Sequence, residues 1–268
     1  QLGISDTLCT PDREEPLPAL SVDEPTVSMT FQVNKSPFAG QDGKYLTSRQ
    51  IRERLDQELK HNVALRVENT DDPDKFRVAG RGELHLSVLV ETMRREGFEL
   101  AVSRPEVIMH DVDDVEHEPW EQLTVDFDEE YQGAVKTRLA DRKGEHVDML
   151  TDGRGRIRLD DRIPTRGLIG FRTEYLTATS GTGLIYHVLD DYAPRVAGTI
   201  AQRNNGALVS NVQGKALAYA LFNLQDRGRL FIEHGVPVYE VMIIGIHQRS
   251  NDLIVNPTKA KQLTNIRA

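Results

Sequence analysis

The sequence is poor in the residues that build disulfides and membrane spans. It contains one cysteine, Cys9, so no disulfide can close within the chain, and a lone thiol is typical of a reducing cytosol. No stretch approaches the ~18 apolar residues of a membrane span. Residues 1–6 show neither an initiator Met nor a basic, apolar leader, which is typical of a chain that begins mid-protein. We therefore expect a cytoplasmic protein with no membrane partner.

Motifs of the common catalytic sites are also lacking. The sequence has no His-Glu-x-x-His helix, no cysteine pair, no Gly-x-Ser-x-Gly elbow and no Rossmann fingerprint. Residues 40–44 (GQDGK) differ from a phosphate loop in spacing, which favours a flexible surface loop. Acidic residues 111–118 could form a metal cluster, but they contain no glycine turn, which favours a solvated linker. We expect no catalytic residue, cofactor or metal in this chain.

The residues that are present predict two ferredoxin-like domains of the α+β class. With 268 residues, 38% of them hydrophobic, the chain can form two or three compact domains. Alternating residues at 26–34 predict a strand, and a capping box at 47–50 precedes a helical stripe. A hairpin, a second helix that ends at Gly97 and a last strand follow. Residues 24–108 therefore show the ferredoxin-like order strand, helix, strand, strand, helix, strand.

The same order returns over residues 109–192 with little sequence identity, beginning after the acidic connector. Its second helix is predicted over residues 165–177, although Gly167 and Gly170 lower helix propensity. Residues 193–268 predict a separate, mostly β module. Its short β-rich runs are residues 196–200, 207–210, 216–222, 229–232, 236–246 and 251–255, and residues 214–221 are also open to one short helix. Residues 1–23, rich in proline and acids, fit the edge of a preceding domain and a linker. The predicted class is α+β.

Charge is divided unevenly between these parts. The chain carries a net charge of −9, which alone argues against a nucleic-acid partner, but residues 1–192 sum to −14 and residues 193–268 to +5. A basic module suggests contact with RNA or another polyanion, and charge alone leaves a solvated face equally open. The candidate RNA-binding residues are Lys215, Arg227, Arg229, Arg249, Lys259 and Lys261.

Two glycines three residues apart, Gly167 and Gly170, have the spacing that KH modules use to approach an RNA backbone. Such pairs are common by chance. The favoured interpretation is that they allow a helix to pack closely on its sheet.

Several longer motifs resemble one protein family. Residues 80–86 (GRGELHL) resemble the strand-to-helix junction in the third domain of elongation-factor-G-like translational GTPases. Residues 118–121 (EPWE) and 129–133 (EEYQG) are similar to the opening of that group's fifth domain. Within the group, residues 163–171, 205–210 and 219–228 resemble the BipA/TypA family.

The resemblance implies a domain organisation and a function. Residues 1–23 would end a β-barrel domain, residues 24–108 and 109–192 would be domain III-like and V-like, and residues 193–268 would be an incomplete family-specific domain. The expected partner is the bacterial ribosome, through ribosomal RNA and tRNA near the aminoacyl site, in ribosome assembly and stress-responsive translation. GTP and magnesium would belong to a GTPase domain outside this chain, so this chain would be no enzyme, would not bind DNA, and would be monomeric.

Two other functions stay open at the level of sequence. A protein-interaction scaffold without RNA binding is the main alternative, because ferredoxin-like domains pair through exposed sheet edges and residues 1–192 are acidic. A pair of small-molecule regulatory domains is the third, and it has no pocket motif to support it.

Overall fold

The alternating residues near the start form the centre of a first sheet in the computed structural model, which describes residues 6–18, 24–200 and 205–261. The elements of this part are β1 (Val27–Val33), α1 (Ser48–Leu59), β2 (Arg66–Asn69), β3 (Lys75–Gly80), α2 (Glu83–Glu96), β4 (Leu100–Val102) and β5 (Glu106–Val107). The strands run antiparallel in the order β2-β3-β1-β4, and β5 also pairs with β1. The predicted element order is present.

Local sequence signals set both helices against this sheet. The capping box is confirmed, since Thr47 and Gln50 each bond the other's backbone at the start of α1. Gly97 ends α2 with a φ of 96°, a conformation that favours glycine. Apolar side chains of β1, β3 and both helices form one core. Its fully buried members are Phe31, Ile51, Leu55, Val78, Leu86 and Met93.

The loop over residues 40–43 encloses a carboxylate of the protein itself. Glu99, 9% exposed, accepts backbone hydrogen bonds from Gly40 at 2.8 Å, Gly43 at 3.1 Å and Asp42 at 3.2 Å. Asn34 Nδ2 donates a fourth bond at 2.7 Å. These bonds, led by the one from Gly40, lower the pKa of Glu99 against the opposing effect of burial. The loop thus folds around Glu99 while Gly40, Gln41 and Asp42 stay exposed, so it lies at the surface as predicted.

A second sheet repeats the arrangement. Its elements are β6 (His110–Val112), β7 (Val115–Asp128), a 3-10 turn (Glu129–Tyr131), α3 (Gln132–Asp141), β8 (Glu145–Thr151), β9 (Arg156–Pro164), α4 (Thr165–Leu168), α5 (Phe171–Ala178) and β10 (Leu184–Pro194). The strand order is β10-β7-β9-β8, all antiparallel, with β6 on β7. Its core includes Phe127, Val135, Leu139 and Tyr175. The α+β class is confirmed.

The acidic segment 111–118 is part of a β-hairpin, so the prediction of a linker was wrong, although residues 111–116 are exposed to solvent as expected. Asp113 and Asp114 have φ angles of 50° and 61° and form the tight turn between β6 and β7. Glu118 is fully buried and pairs with Arg166, whose Nη2 lies 2.8 Å from Glu118 Oε1. The backbone N–H of Val196 also donates to Glu118 at 2.8 Å. Among the described residues, no three His, Cys, Asp or Glu side chains gather to hold a metal ion.

The helix predicted over residues 165–177 is divided into α4 and α5. Gly170, with a φ of 72°, separates them, and a Cβ added at this position would have no neighbouring atom within 4 Å. Gly167 does pack closely, since a Cβ there would meet the Arg142 carbonyl at 2.7 Å. The buried Arg142 guanidinium donates to the carbonyls of Gly167 at 2.5 Å and Ile169 at 3.0 Å, which fixes the break. The close-packing interpretation therefore holds for one glycine of the pair.

The remaining residues form a second compact unit. The two units are Gln1–Ala201 and Gln202–Ala268, so the division falls after residue 201 and not at the expected residue 193. Its elements are β11 (Ala207–Ser210), β12 (Gly214–Lys215), α6 (Ala218–Gln225), β13 (Gly228–Leu230), β14 (Pro237–Val238), β15 (Ile243–His247) and β16 (Leu253–Val255). The sheet order is β13-β15-β11-β16, with β11 and β16 parallel, and β12 pairs with β14. Leu208, Val238 and Ile244 lie in its core.

Three predicted strands of this region differ from the structure. The run 216–222 lies mostly in α6, and this helix begins at Ala218, four residues after the start of the helix predicted over 214–221. Residues 196–200 lie outside any strand. The run 236–246 is interrupted, because Val241 has a φ of 70° and is 70% exposed, so the core strand begins only at Ile243. No helix in the described ranges combines the length and apolarity that a membrane crossing requires.

Two helical glycines in the second sheet's layer should respond oppositely to alanine. Gly167→Ala should destabilise the chain by about 1–3 kcal/mol, because the added methyl meets the Arg142 carbonyl and Ile163. Gly133→Ala should stabilise it by about 0.5–1 kcal/mol, because the site on α3 is open and alanine lowers the entropy of the unfolded chain. Urea unfolding of both variants measures the difference, and equal effects would contradict the packing described for Gly167.

Glu99→Gln should destabilise the chain by about 1–3 kcal/mol at neutral pH, because the loop's N–H groups lose a charged acceptor. A lowered pKa means that this stabilisation is present above the unfolded value of about 4.3 and is lost as pH falls through the folded value. The difference between wild type and variant should therefore shrink as pH falls from 7 towards 3. Glu106→Gln, at an exposed carboxylate on β5, is the control. A difference that stays constant with pH would exclude a role for the charge.

Candidate nucleic-acid interface

The six candidate residues are all exposed and all in the second unit. They are every Lys and Arg of residues 205–261: Lys215, Arg227, Arg229, Arg249, Lys259 and Lys261. None of them forms an ion pair with a carboxylate of the described residues, although the same stretch contains four acidic residues. Cations left without a carboxylate partner keep their charge available to an external anion.

In the first unit, by contrast, most cations lie close to a carboxylate. At least fifteen of the 25 lysines and arginines in residues 6–18 and 24–200 lie within 4.0 Å of a carboxylate. Examples are the i,i+4 pair Arg49 and Glu53 on α1, at 2.8 Å, and Arg142 with Glu174, at 3.1 Å. The contrast makes the second unit the place where a polyanion would find unneutralised cations.

Three of the six cations, here called the arginine group, lie at one edge of the second unit. Arg227 follows α6, and its carbonyl accepts a hydrogen bond from the backbone N–H of Gln248 at 2.9 Å. This bond places Arg227 in the turn next to Arg249. Arg229, on β13, pairs across the sheet with Ile246. The arginine group is Arg227, Arg229 and Arg249.

The other three cations, the lysine group, lie near the start of α6. The backbone N–H of Leu217 donates to the Pro257 carbonyl at 2.9 Å, which joins the β12 end to the segment after β16. Lys215 lies two residues before that contact, and Lys259 lies two residues after it. Lys261 follows at the end of the described chain. The lysine group is Lys215, Lys259 and Lys261. The structure thus brings the six predicted residues together as two groups.

Three further basic residues of the predicted module are not assigned to either group. Arg195 belongs to the first unit and is paired with Glu116 at 2.6 Å. Arg203 and Arg267 lie outside the described residues. With the division after residue 201, the net charge of the second unit is +4, slightly below the +5 expected for residues 193–268.

The sequence did not single out two exposed aromatic residues of this unit. Tyr219 is 42% exposed and Phe222 is 71% exposed, and both lie on α6. Ala220 and Leu221 of the same helix are buried. The i,i+3 spacing of the two rings indicates that they share one face of a helix. A short apolar helix is more often assigned wholly to the core, so the sequence alone did not identify that face as exposed.

Two of the motifs that carried the family resemblance, residues 80–86 and 163–171, meet within the first unit. Residues 80–86 form the junction of β3 and α2, as the resemblance implied. The carboxylate of Glu83 accepts a hydrogen bond from the backbone N–H of Gly170, at 3.2 and 3.3 Å from its two oxygens. Gly170 precedes α5 and has no side chain to cap that helix, so Glu83 supplies the negative charge at its start. These motif residues therefore hold the two sheets' layers together.

Two family models match the chain. The elongation factor G C-terminus matches residues 115–203, and the TypA/BipA C-terminal domain matches residues 205–268. The boundary between the two matches agrees with the division between the two units.

Curated relatives match over the whole chain. The chain is 62% identical over 268 residues to the large ribosomal subunit assembly factor BipA of Salmonella typhimurium, and equally to that of Haemophilus influenzae. Identity to the protein of the same name from Buchnera aphidicola is 55%. The chain spans 44% of the length of each of these relatives. A crystal structure from Thermus thermophilus covers 71% of this chain, which covers 43% of that one, at a TM-score of 0.43 and 14% identity. Over the part of its relatives that it spans, the chain belongs to the BipA/TypA family.

Proposed function

We propose that the second unit attaches this protein to ribosomal RNA during assembly of the large ribosomal subunit. The observation that carries the proposal is the set of six exposed cations that have no carboxylate partner among the described residues, in a unit of positive net charge. Curated relatives are named as assembly factors of the large ribosomal subunit, which supports ribosomal RNA as the proposed partner. Release of counterions from RNA by these cations would supply the binding free energy.

The first unit would orient the second on the ribosome. Its two antiparallel sheets have the strand order of ferredoxin-like domains, and we assign them to domains III-like and V-like of elongation factor G. The cross-layer hydrogen bond from Gly170 to Glu83 and the buried pair of Glu118 and Arg166 support a rigid body. The first unit would thus serve as a rigid spacer between the RNA-binding unit and a GTP-hydrolysing domain of the parent protein.

We do not propose nucleotide hydrolysis for any residue of this 268-residue chain. The loop that most resembles a phosphate-binding loop is filled by Glu99. We propose that the protein is monomeric and cytoplasmic. By analogy with the family, we further propose that it contacts the ribosome near the aminoacyl-tRNA site and acts in stress-responsive translation. Binding of GTP to this 268-residue chain with the affinity of a translational GTPase would contradict the assignment.

Neutralising the arginine group should weaken binding to large ribosomal subunits. The triple variant Arg227→Gln, Arg229→Gln and Arg249→Gln should bind at least 10-fold more weakly at about 0.1 M salt. The slope of log affinity against log salt should become shallower by about 2–3, because each lost phosphate contact removes about 0.7–0.9. Sedimentation with purified subunits over a salt series measures both quantities.

A matched control changes the net charge equally in the first unit. Arg49→Gln, Arg94→Gln and Arg95→Gln remove three exposed arginines that are paired with Glu53 and Glu91. This variant should bind subunits like the wild type. Equal weakening in both variants would indicate a general charge effect and would contradict the proposed interface. Binding to a basic protein in the absence of ribosomes, with no affinity for subunits, would favour the scaffold alternative.

A further inference from the structure

The exposed face of α6 carries two aromatic rings. Tyr219 and Phe222 are three residues apart, so they lie on one side of the helix, while Ala220 and Leu221 pack into the core of the unit. Phe222 leaves 71% of its surface exposed. A large apolar ring exposed to this extent costs hydration free energy that a stacking partner would recover.

Cations lie at both ends of this aromatic face. The lysine group stands at the start of α6, where Leu217 bonds Pro257, and the arginine group stands at its end, where Arg227 follows the helix. A helix of eight residues is about 12 Å long, so the two groups bracket the rings at short range.

Aromatic rings flanked by cations match one class of partner. Proteins bind single-stranded nucleic acid by stacking bases on aromatic side chains while cations follow the phosphates. Bases within a duplex are already stacked and paired, so they cannot use an exposed ring in this way. A protein partner with an apolar face would need no cations at either end.

We propose that Tyr219 and Phe222 stack on unpaired bases of ribosomal RNA, between phosphates held by the lysine and arginine groups. This inference rests on the proposed function and deepens it, since it specifies single-stranded rather than duplex RNA. The rings provide base stacking, and the cations provide the salt-dependent part of the affinity.

The test compares single-stranded and duplex RNA as probes for the whole 268-residue chain. A fluorescent ten-nucleotide oligouridylate and a ten-base-pair RNA duplex are titrated with wild type, Tyr219→Leu and Phe222→Leu. Leucine keeps an apolar, helix-compatible side chain and removes the ring. Each variant should bind the single strand about 5- to 100-fold more weakly, with an unchanged salt slope and unchanged duplex binding.

Two further variants provide controls. Tyr219→Phe keeps the ring and should bind like wild type, and Tyr186→Leu removes a ring that is 63% exposed on β10 of the first unit and should have no effect. Circular dichroism checks that each variant is folded.

The outcomes separate this inference from the proposed function. If both leucine variants bind the single strand like wild type while the arginine-group variant is weakened, stacking is excluded and RNA binding by cations stands. Equal weakening on the duplex would also exclude stacking on unpaired bases. If the wild type binds neither probe nor ribosomal subunits, both the inference and the proposed function fail.

Discussion

Coulomb attraction between neighbouring side chains forms many ion pairs in the first unit of this chain and none among the described residues of the second. In the first unit, carboxylates outnumber cations and stand within 4.0 Å of most of them. The most buried case is Glu118, whose charge is tolerated away from water because Arg166 and a backbone N–H meet it. The many carboxylates of this unit therefore help to stabilise its fold, because their ion pairs hold the strands and helices in position.

The second unit has charges of both signs but forms no ion pair among its described residues. Its acidic residues are few, and the cations stand in turns and on edge strands where solvent surrounds them. The field of an unpaired surface cation extends over a Debye length of about 8 Å at physiological salt, which is shorter than the roughly 12 Å length of α6 between the two groups. Each group therefore attracts a polyanion mainly at close range, and the net charge of the whole chain does not reveal this local attraction.

The sequence predicted most of the first unit because its signals are local. The alternation of β1, the capping box at Thr47 and the left-handed Gly97 are each encoded within a few residues. The failures involve contacts between distant residues. Glu118 is buried by Arg166, 48 positions away, and the break between α4 and α5 is held by Arg142. The six candidate cations could be found from composition, but their separation into two groups depends on the bond between Leu217 and Pro257.

The glycine-containing segments resemble anion-binding loops in sequence, but they lie outside the candidate interface. The N–H groups of residues 40–43 face Glu99, and that of Gly170 faces Glu83, so backbone positions suited to an anion are already occupied by carboxylates of the chain. A phosphate that entered the loop would displace Glu99 and leave a buried carboxylate without hydrogen bonds, which opposes the exchange. External anions must then be held by side chains. In this protein, the segments that most resemble phosphate loops stabilise the fold, and the proposed RNA contacts would be made by the exposed cations and rings of the second unit.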